Sequence, residues 1–587
     1  MKRAELTTVL GGTALVLAVA GVAFGFSSYW LFLATSAVLS ALIALSVGVV
    51  HGRAGMVTLC PMAFAGVGAW TTGWLGVRTG LPFLVLVVVG GLAAVPVGVL
   101  IGLPALRLRG VNLAVATLAF GGAVAVVVFD KGFPGAAERI PVERPSFASS
   151  ESAFFLLSVL VLALVAAALS AASRRSTGAR WTAVRDSERA TAALGYSVTT
   201  TKLLAFATSA FIAGLGGALM AGQLGILSGV GFQPMASIVV FTAAVAFGSS
   251  YVEGALLAGV AATVVPEVLR QLGLPQDIAP GLFALAALQA LAAGSEGIAG
   301  QLRAALRARF GKRRTEYPAA PAAEAVAGPP PLPRPPAQGE PVLGVSDLGV
   351  VYGAVTALDA VKLTIRQGSV HGLIGPNGAG KSTLIDVLSG FVAPTAGRVL
   401  LSNVPLDGMP PHLRARGGIR RSFQQGRVNP QLTIGQYLTL SGRGRADQDL
   451  IERLIRAFGC PPAGTRVADI DVGTRRVVEV AATLAARPSV VLLDEPAAGL
   501  SAEESARLGR GIAGIPQQFG CSVLLVEHDI ELVATCCDEA TALDFGRVIA
   551  NGTPADVLRD PAVVRAYLGS GDSTTHSNDG ATLEVGS

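Results

Sequence analysis

Residues 370–388, "VHGLIGPNGAGKSTLIDVL", set G-x-x-x-x-G-K-S between a short apolar run and a helix-periodic apolar pattern. That is the context a phosphate-binding loop requires. Gly375, Gly378 and Gly380 let backbone N–H groups approach phosphate oxygens, and the following helix N-terminus adds partial positive charge. Lys381 is placed to reach the β and γ oxygens and Ser382 to ligate Mg²⁺, with Pro376, Asn377, Ala379 and Thr383 completing the nucleotide-facing loop. Residues 489–500, "SVVLLDEPAAGL", are continuous Val/Leu ending in two acids, the pattern of a fully buried parallel strand. Asp494 then emerges at the carboxyl end, where ligands bind such sheets, to hold Mg²⁺ directly or through water. Glu495 is placed to polarise an attacking water. A third strand, "CSVLLVEHDIEL" at 521–532, puts His528 at another carboxyl end, within reach of a γ-phosphate. The chemistry implied is hydrolysis of ATP with Mg²⁺.

These three strand ends need a parallel α/β domain to bring them together, and about residues 341–570 have the composition to build it. The remainder is different. Of 587 residues, 51% are hydrophobic and 14% charged, which is too apolar for an ordinary soluble chain. The apolar residues are concentrated before about residue 300. At about 20 residues per span, about ten candidate spans lie near 8–26, 29–50, 56–76, 82–103, 111–129, 153–172, 202–222, 236–250, 254–272 and 279–295. The third and eighth are glycine-rich or short and suit a broken or re-entrant segment. The basic, apolar start "MKRAELTTVLGGTALVLAVAGVAFGF" raises a cleaved signal peptide, but no small-residue cleavage site precedes the next apolar run. It reads as a retained first span.

Positive charge orients the spans. With the N-terminus inside, the inner set is Lys2, Arg3, Arg53, Arg107, Arg109, Arg174, Arg175, Arg180, Arg185, Arg189 and Lys202; the outer set is only Arg78, Lys131, Arg139, Arg144 and Arg270. An even number of spans returns the chain to the cytoplasm, where ATP is, just before the basic run "RAALRARFGKRR" at 303–314. The net charge of +6 then reflects cytoplasmic loop residues, not nucleic-acid binding. The five cysteines, Cys60, Cys460, Cys521, Cys536 and Cys537, have neither disulfide nor metal spacing. The domain expectation is a polytopic α-helical membrane domain at 1–300, a basic then Ala/Pro-rich linker at 301–340, a P-loop nucleotide-binding domain at 341–570 and a disordered tail at 571–587.

"GPNGAGKST", "RSFQQ" at 421–425, "VLLDEP", "VEHD" and "LDFGRVIANGTPADVLRDPAVVRAYLG" at 543–569 together resemble the nucleotide-binding subunit of an ABC transporter. "AAGL" and "FGRVIANGTP" resemble in particular the ATPases of branched-chain amino-acid importers. "GRAGMVTLCPMAFAGVGAW" at 52–70, "GLPALRLRGVNLAVATLAFG" at 102–121 and the long stretch 178–221 resemble the permease of the same family. The resemblance implies that Tyr352 stacks on adenine, that Gln424 senses Mg²⁺ and the membrane partner, and that His528 is the switch histidine. It also implies that residues 178–202 are a cytoplasmic coupling segment docking on an ATPase. The partners it implies are a second permease, a second ATPase subunit with its own signature loop, an extracytoplasmic substrate-binding protein and the lipid of the inner membrane.

One stretch departs from the family. "IDVGT" at 470–474 aligns with the signature loop, placing Asp471 at the signature Ser, Gly473 at its second Gly and Thr474 at the following Gln. In ABC dimers that loop faces ATP held by the other subunit, so the departure concerns the partner's nucleotide and not the site of Lys381, Asp494 and Glu495. Ser donates a hydrogen bond to phosphate, whereas an ionised Asp only accepts. Competing functions are an importer of urea, amides or other small solutes, an exporter half-transporter, and an ATP-gated channel. Exporter halves have six long helices reaching into the cytoplasm, unlike the many spans and short inner loops expected here.

Overall fold

The computed structural model describes residues 19–129, 132–133, 141–174, 176–292, 297–310, 339–423, 430 and 432–568. The chain divides into two units, residues 1–185 with 198–315, and residues 186–197 with 316–587.

The first unit is helical: α1 (Ser28–Val47), α2 (Pro61–Arg78), α3 (Phe83–Gly102), α4 (Val111–Val124), α5 (Glu151–Arg174) and α6 (Ser176–Asp186). After an excursion holding α7 (Glu188–Ala193), it continues with α8 (Val198–Leu224), α9 (Pro234–Phe247), α10 (Val252–Gln271), α11 (Ile278–Ala292) and α12 (Gly297–Phe310). Prolines start two of them, because a missing N–H costs nothing in the first turn: Pro61 and Pro234 occupy the opening turns of α2 and α9. The long α8 is the hub, packed on α1, α2 and α3; 67% of its apolar stretch is buried against 22% for Val111–Phe129. The outer faces of α3, α5 and α11 turn Val88, Leu92, Leu160, Leu164, Leu285 and Leu288 outward, and lipid tails are as apolar as these side chains.

Small residues set how closely α8 is approached. A Cβ on Gly217 would stand 1.8 Å from the Ala65 carbonyl oxygen of α2, and one on Gly68 would stand 2.2 Å from the Gly214 carbonyl oxygen. The two backbones therefore touch directly, the small-residue packing that substitutes for the hydrophobic effect inside a membrane.

Among the described residues, six helices are long and apolar enough to cross a membrane, or seven if the bent pair Ile278–Ala292 and Gly297–Leu306 is one span. The expectation of about ten is therefore reduced. Most of the candidate at 8–26 lies outside the described residues. The candidate at 56–76 becomes the polar-flecked α2, and that at 236–250 is cut to 14 residues by Pro234 and a left-handed Gly248. Residues 311–338 of the linker and the tail after 568 also lie outside the described residues.

The second unit is α/β. A four-stranded antiparallel sheet runs β2-β1-β4-β5, from β1 (Pro341–Tyr352), β2 (Val355–Arg366), β4 (Ala396–Leu401) and β5 (Val404–Pro405). A six-stranded sheet runs β10-β9-β3-β8-β7-β6, from β3 (Val370–Ile374), β6 (Ile419–Arg421), β7 (Val490–Asp494), β8 (Ser522–Val526), β9 (Glu539–Asp544) and β10 (Arg547–Gly552). All but β10 are parallel. β3, β7 and β8 are buried at every residue, which explains their uninterrupted Val/Leu. Crossover helices include α13 (Lys381–Leu388) and α14 (Pro411–Gly417), then α15 (Ile434–Gly442), α16 (Gln448–Phe458), α17 (Val472–Leu484) and α18 (Ala502–Phe519).

The close α2–α8 contact predicts a contrast between two glycines. Gly217→Val should lower the unfolding temperature in detergent, with an overpacking cost of roughly 1–3 kcal/mol or more. Gly281→Ala on α11, where an added Cβ meets nothing within 4 Å, should leave it unchanged or slightly raised.

Candidate active site

The loop between β3 and α13 needs backbone that only glycine adopts without strain. Gly375, Gly378 and Gly380 have φ of 148°, 84° and 103°. Side chains are also excluded: a Cβ on Gly375 would lie 2.2 Å from the Leu543 carbonyl oxygen, and one on Gly380 2.7 Å from that of Ala357. At Gly378 a Cβ would meet nothing within 4 Å, so the tip of the loop is open. Asn377 and Ser382 are exposed there, Pro376 and Thr383 half-buried and Ala379 buried. The Gly375 N–H donates to Tyr567 Oη at 2.9 Å, so the last helix, Pro561–Leu568, braces the loop from behind.

Lys381 folds back over this loop, its Nζ donating to the carbonyls of Gly375 at 2.6 Å and Pro376 at 2.9 Å. Burial pulls its pKa down, opposed by the charges of Glu495 and Asp494. Those three residues, expected together from separate motifs, are thus within electrostatic reach of one another. Asp494 ends β7, and burial raises its carboxyl despite the nearby Arg421 guanidinium. Its Oδ2 accepts from Arg421 Nη2 at 2.9 Å, while Oδ1 is buried without a hydrogen-bond partner. An unpartnered buried carboxylate oxygen beside an open phosphate loop is the donor set that a hard divalent cation fits. Glu495 follows with a positive φ of 46°, held by its N–H to the Val526 carbonyl at 2.9 Å. Non-glycine backbone in that region is strained and concentrates at functional sites.

His528 follows β8 with its side chain 65% exposed, free to meet a ligand. The neighbouring Glu527 is buried and accepts from the Ala497 N–H at 2.9 Å, bracing the turn after Glu495. Tyr352 ends β1 at a hairpin, its ring exposed, and the hairpin leads into Ala357 and Leu358, which lie against Gly380. Gln424 lies outside the described residues.

Asp471 is the N-cap of α17. Its Oδ1 accepts from the Thr474 N–H at 2.7 Å and Oδ2 from the Thr474 hydroxyl at 2.6 Å. Burial alone would raise its carboxyl, but the hydrogen bonds from Thr474 and nearby backbone hold it below the usual range. Gly473 sits between Asp471, Leu500 and Glu504.

Two residues escaped sequence reasoning. Arg421 forks between Asp494 and Asp386, also donating to Ser389 Oγ at 3.1 Å. Asp386, on α13, also accepts from Arg189. The available signal was a pair of arginines in the short strand β6, whose three residues are all buried.

The excursion 186–197 packs within this second unit. Ser187 caps α7 by accepting from the Ala190 N–H at 3.2 Å. Arg416 Nε donates to the Gly195 carbonyl at 3.0 Å, Arg420 Nη1 to that of Ala193 at 3.2 Å, and Tyr196 Oη to that of Leu440 at 2.8 Å. The expected docking segment, 178–202, is thereby narrowed to its central dozen residues.

Comparison with known proteins agrees with this division. Residues 29–291 match the family described as branched-chain amino acid transport system / permease component, and residues 358–498 match ABC transporter. Residues 547–573 match branched-chain amino acid ATP-binding cassette transporter. The high-affinity branched-chain amino acid transport ATP-binding protein LivG of Salmonella typhimurium is 33% identical over 251 residues, 39% of this chain and 98% of that protein. BraF of Pseudomonas aeruginosa, of the same description, is 32% identical over 254 residues, with the same coverage of 39% and 98%. A solved ATP-binding cassette, MJ1267 in its ADP conformation, is 26% identical with a TM-score of 0.36, covering 39% of this chain and 99% of that one.

Glu479 on α17 gives a pH test. Burial pushes its carboxyl up to about 7 despite Arg476 and Arg475. Its folded pKa lies above the unfolded value, so its contribution is fully present below about 4.5 and lost as pH rises to about 7. Glu479→Gln should leave the unfolding temperature nearly unchanged at pH 5 and raise it at pH 8, a difference on the order of 3 kcal/mol. Thermal unfolding of the full chain at the two pH values checks it.

Proposed function

This chain belongs to the branched-chain amino-acid ABC transporter family, with permease and ATP-binding parts fused in one polypeptide, and we propose that it drives uptake of branched-chain or related amino acids. It is an ABC importer whose second unit hydrolyses ATP. The matched permease and cassette families favour none of the alternatives, whether a urea, amide or other small-solute importer, an exporter half or an ATP-gated channel.

The observation that carries the reading is the convergence of Lys381, Asp494 and Glu495 in a unit covalently joined to membrane-length helices. Bound Mg²⁺ would neutralise charge on the terminal phosphates. Ser382 and the unpartnered Oδ1 of Asp494, with Gln424, would hold it. Lys381 exchanges its loop carbonyls for β and γ oxygens, which the open tip at Gly378 admits. Glu495, its carboxylate set by the strained turn, orients water and accepts its proton. His528 contacts the γ-phosphate and Tyr352 stacks on the base.

The chain works beside a second permease, a second ATPase subunit and an extracytoplasmic binding protein that delivers cargo. It lies in the cytoplasmic membrane as a multi-pass protein, with its N-terminus and ATPase unit inside. Asp471 and Gly473 face ATP held by the partner ATPase. Repulsion between an ionised Asp471 and phosphate is on the order of a few kcal/mol at an effective dielectric of about 20. The two ATP sites are then unequal: nucleotide on this chain meets the partner's intact signature, whereas nucleotide on the partner meets Asp471.

In the assembled transporter in vesicles, Glu495→Gln should reduce ATPase activity and binding-protein-dependent uptake by about 100-fold or more. Asp471→Ser should raise ATPase turnover severalfold. Unchanged ATPase and uptake in Asp471→Ser, alongside loss in Glu495→Gln, would refute the asymmetry; uptake without the binding protein would refute the importer assignment.

A further inference from the structure

Four charges run in a line from the docked segment to the ATP site. Arg189 on α7 donates to Asp386 Oδ2 at 3.0 Å. Asp386 Oδ1 accepts from Arg421 Nη1, and Arg421 Nη2 donates to Asp494 Oδ2 at 2.9 Å. Exposure falls along the line: the Arg189 side chain is 58% exposed, Asp386 17%, and Arg421 and Asp494 5% each. Phe391 lies beside both guanidinium groups, 5.1 Å from Arg189 and 5.9 Å from Arg421, and Phe423 lies 4.8 Å from Arg421. These rings flank the inner part of the line, where charges interact most strongly.

We propose that this line is a charge relay through which seating of the 186–197 segment sets the divalent-cation affinity of the ATP site, with Arg421 as the positioning residue for Asp494. The proposal rests on the reading of Asp494 as a Mg²⁺ ligand.

The sign follows from competition for one guanidinium. Asp386 and Asp494 both hold Arg421, and what weakens Asp386's hold strengthens Asp494's. Arg189 seated on Asp386 offsets its negative charge, so Arg421 stays on Asp494 and opposes an incoming cation. With Arg189 withdrawn, Asp386 draws Arg421 away, and the three remaining groups carry one net negative charge where four carried none. Both effects favour Mg²⁺. Departure of the segment therefore tightens the metal site, and its seating loosens it.

The test is the Mg²⁺ concentration that half-saturates binding of a fluorescent, non-hydrolysable ATP analogue to the full chain in nanodiscs. An unchanged unfolding temperature in the absence of Mg²⁺ confirms that each variant is folded. Arg189→Ala should lower the half-saturating Mg²⁺ by about two- to fivefold, the scale of a partly exposed ion pair. Asp386→Asn should raise it, because Arg421 then has only Asp494, and Arg189→Lys should restore the wild-type value. Arg189→Ala should add nothing in the Asp386→Asn background, and its effect should shrink at high salt. A purely structural contact predicts none of these opposed signs. The relay is overturned if Arg189→Ala leaves the value unchanged, or shifts it equally with and without Asp386. Asp494→Asn separates the two layers: if it too changes nothing, the metal-ligand reading falls with the relay, and if it alone shifts the value, only the relay falls.

Discussion

The second unit is organised around one electrostatic demand: a carboxylate at the end of a fully buried strand must be balanced. Asp494 is 4% exposed, and a charge so buried is tolerated only when paired. One oxygen is held by Arg421 and the other is left open, an arrangement that keeps the acid ionisable without closing it to a cation. The surroundings follow from this. β6 has to carry an arginine into a buried strand, α13 has to bring Asp386 to the arginine's other arm, and Ser389 has to fill its remaining reach. The lysine opposite is restrained by the loop's own carbonyls, so two cations surround Asp494 and Glu495 and neither closes the open oxygen.

The membrane unit solves a different problem. Its helices gain little from burying apolar side chains against one another when lipid is as apolar as they are. Close approach is the alternative, and it is built into glycines on α2 and α8 that leave no room for a Cβ. The well-buried α8 is accordingly rich in small residues, while Leu and Val such as Leu92, Leu160 and Leu288 face outward on other helices.

What was legible in the sequence was what is local. The loop from Gly375 to Thr383 and the acids after β7 are contiguous stretches whose spacing carries the geometry. Arg421 pairs with residues 35 and 73 positions away, and no spacing rule links them. Asp471 was read by its place in an aligned motif, yet it is also an ordinary helix N-cap three residues before a threonine, a pattern visible without alignment. The span count was overestimated where apolar content was taken for length. Composition does not register that a proline and a left-handed glycine confine α9 to 14 residues.

The docked segment has one further consequence. Because residues 186–197 and the ATPase they rest on belong to one polypeptide, their association is intramolecular and independent of protein concentration. Tethering of this kind corresponds to effective concentrations up to the millimolar range when the span suits the linker. Contacts as modest as Tyr196 with the Leu440 carbonyl and Arg416 with that of Gly195 then favour reseating of the segment after each departure. Fusion thereby fixes the ratio of this permease to this ATPase at one to one, whatever the affinity of the interface itself.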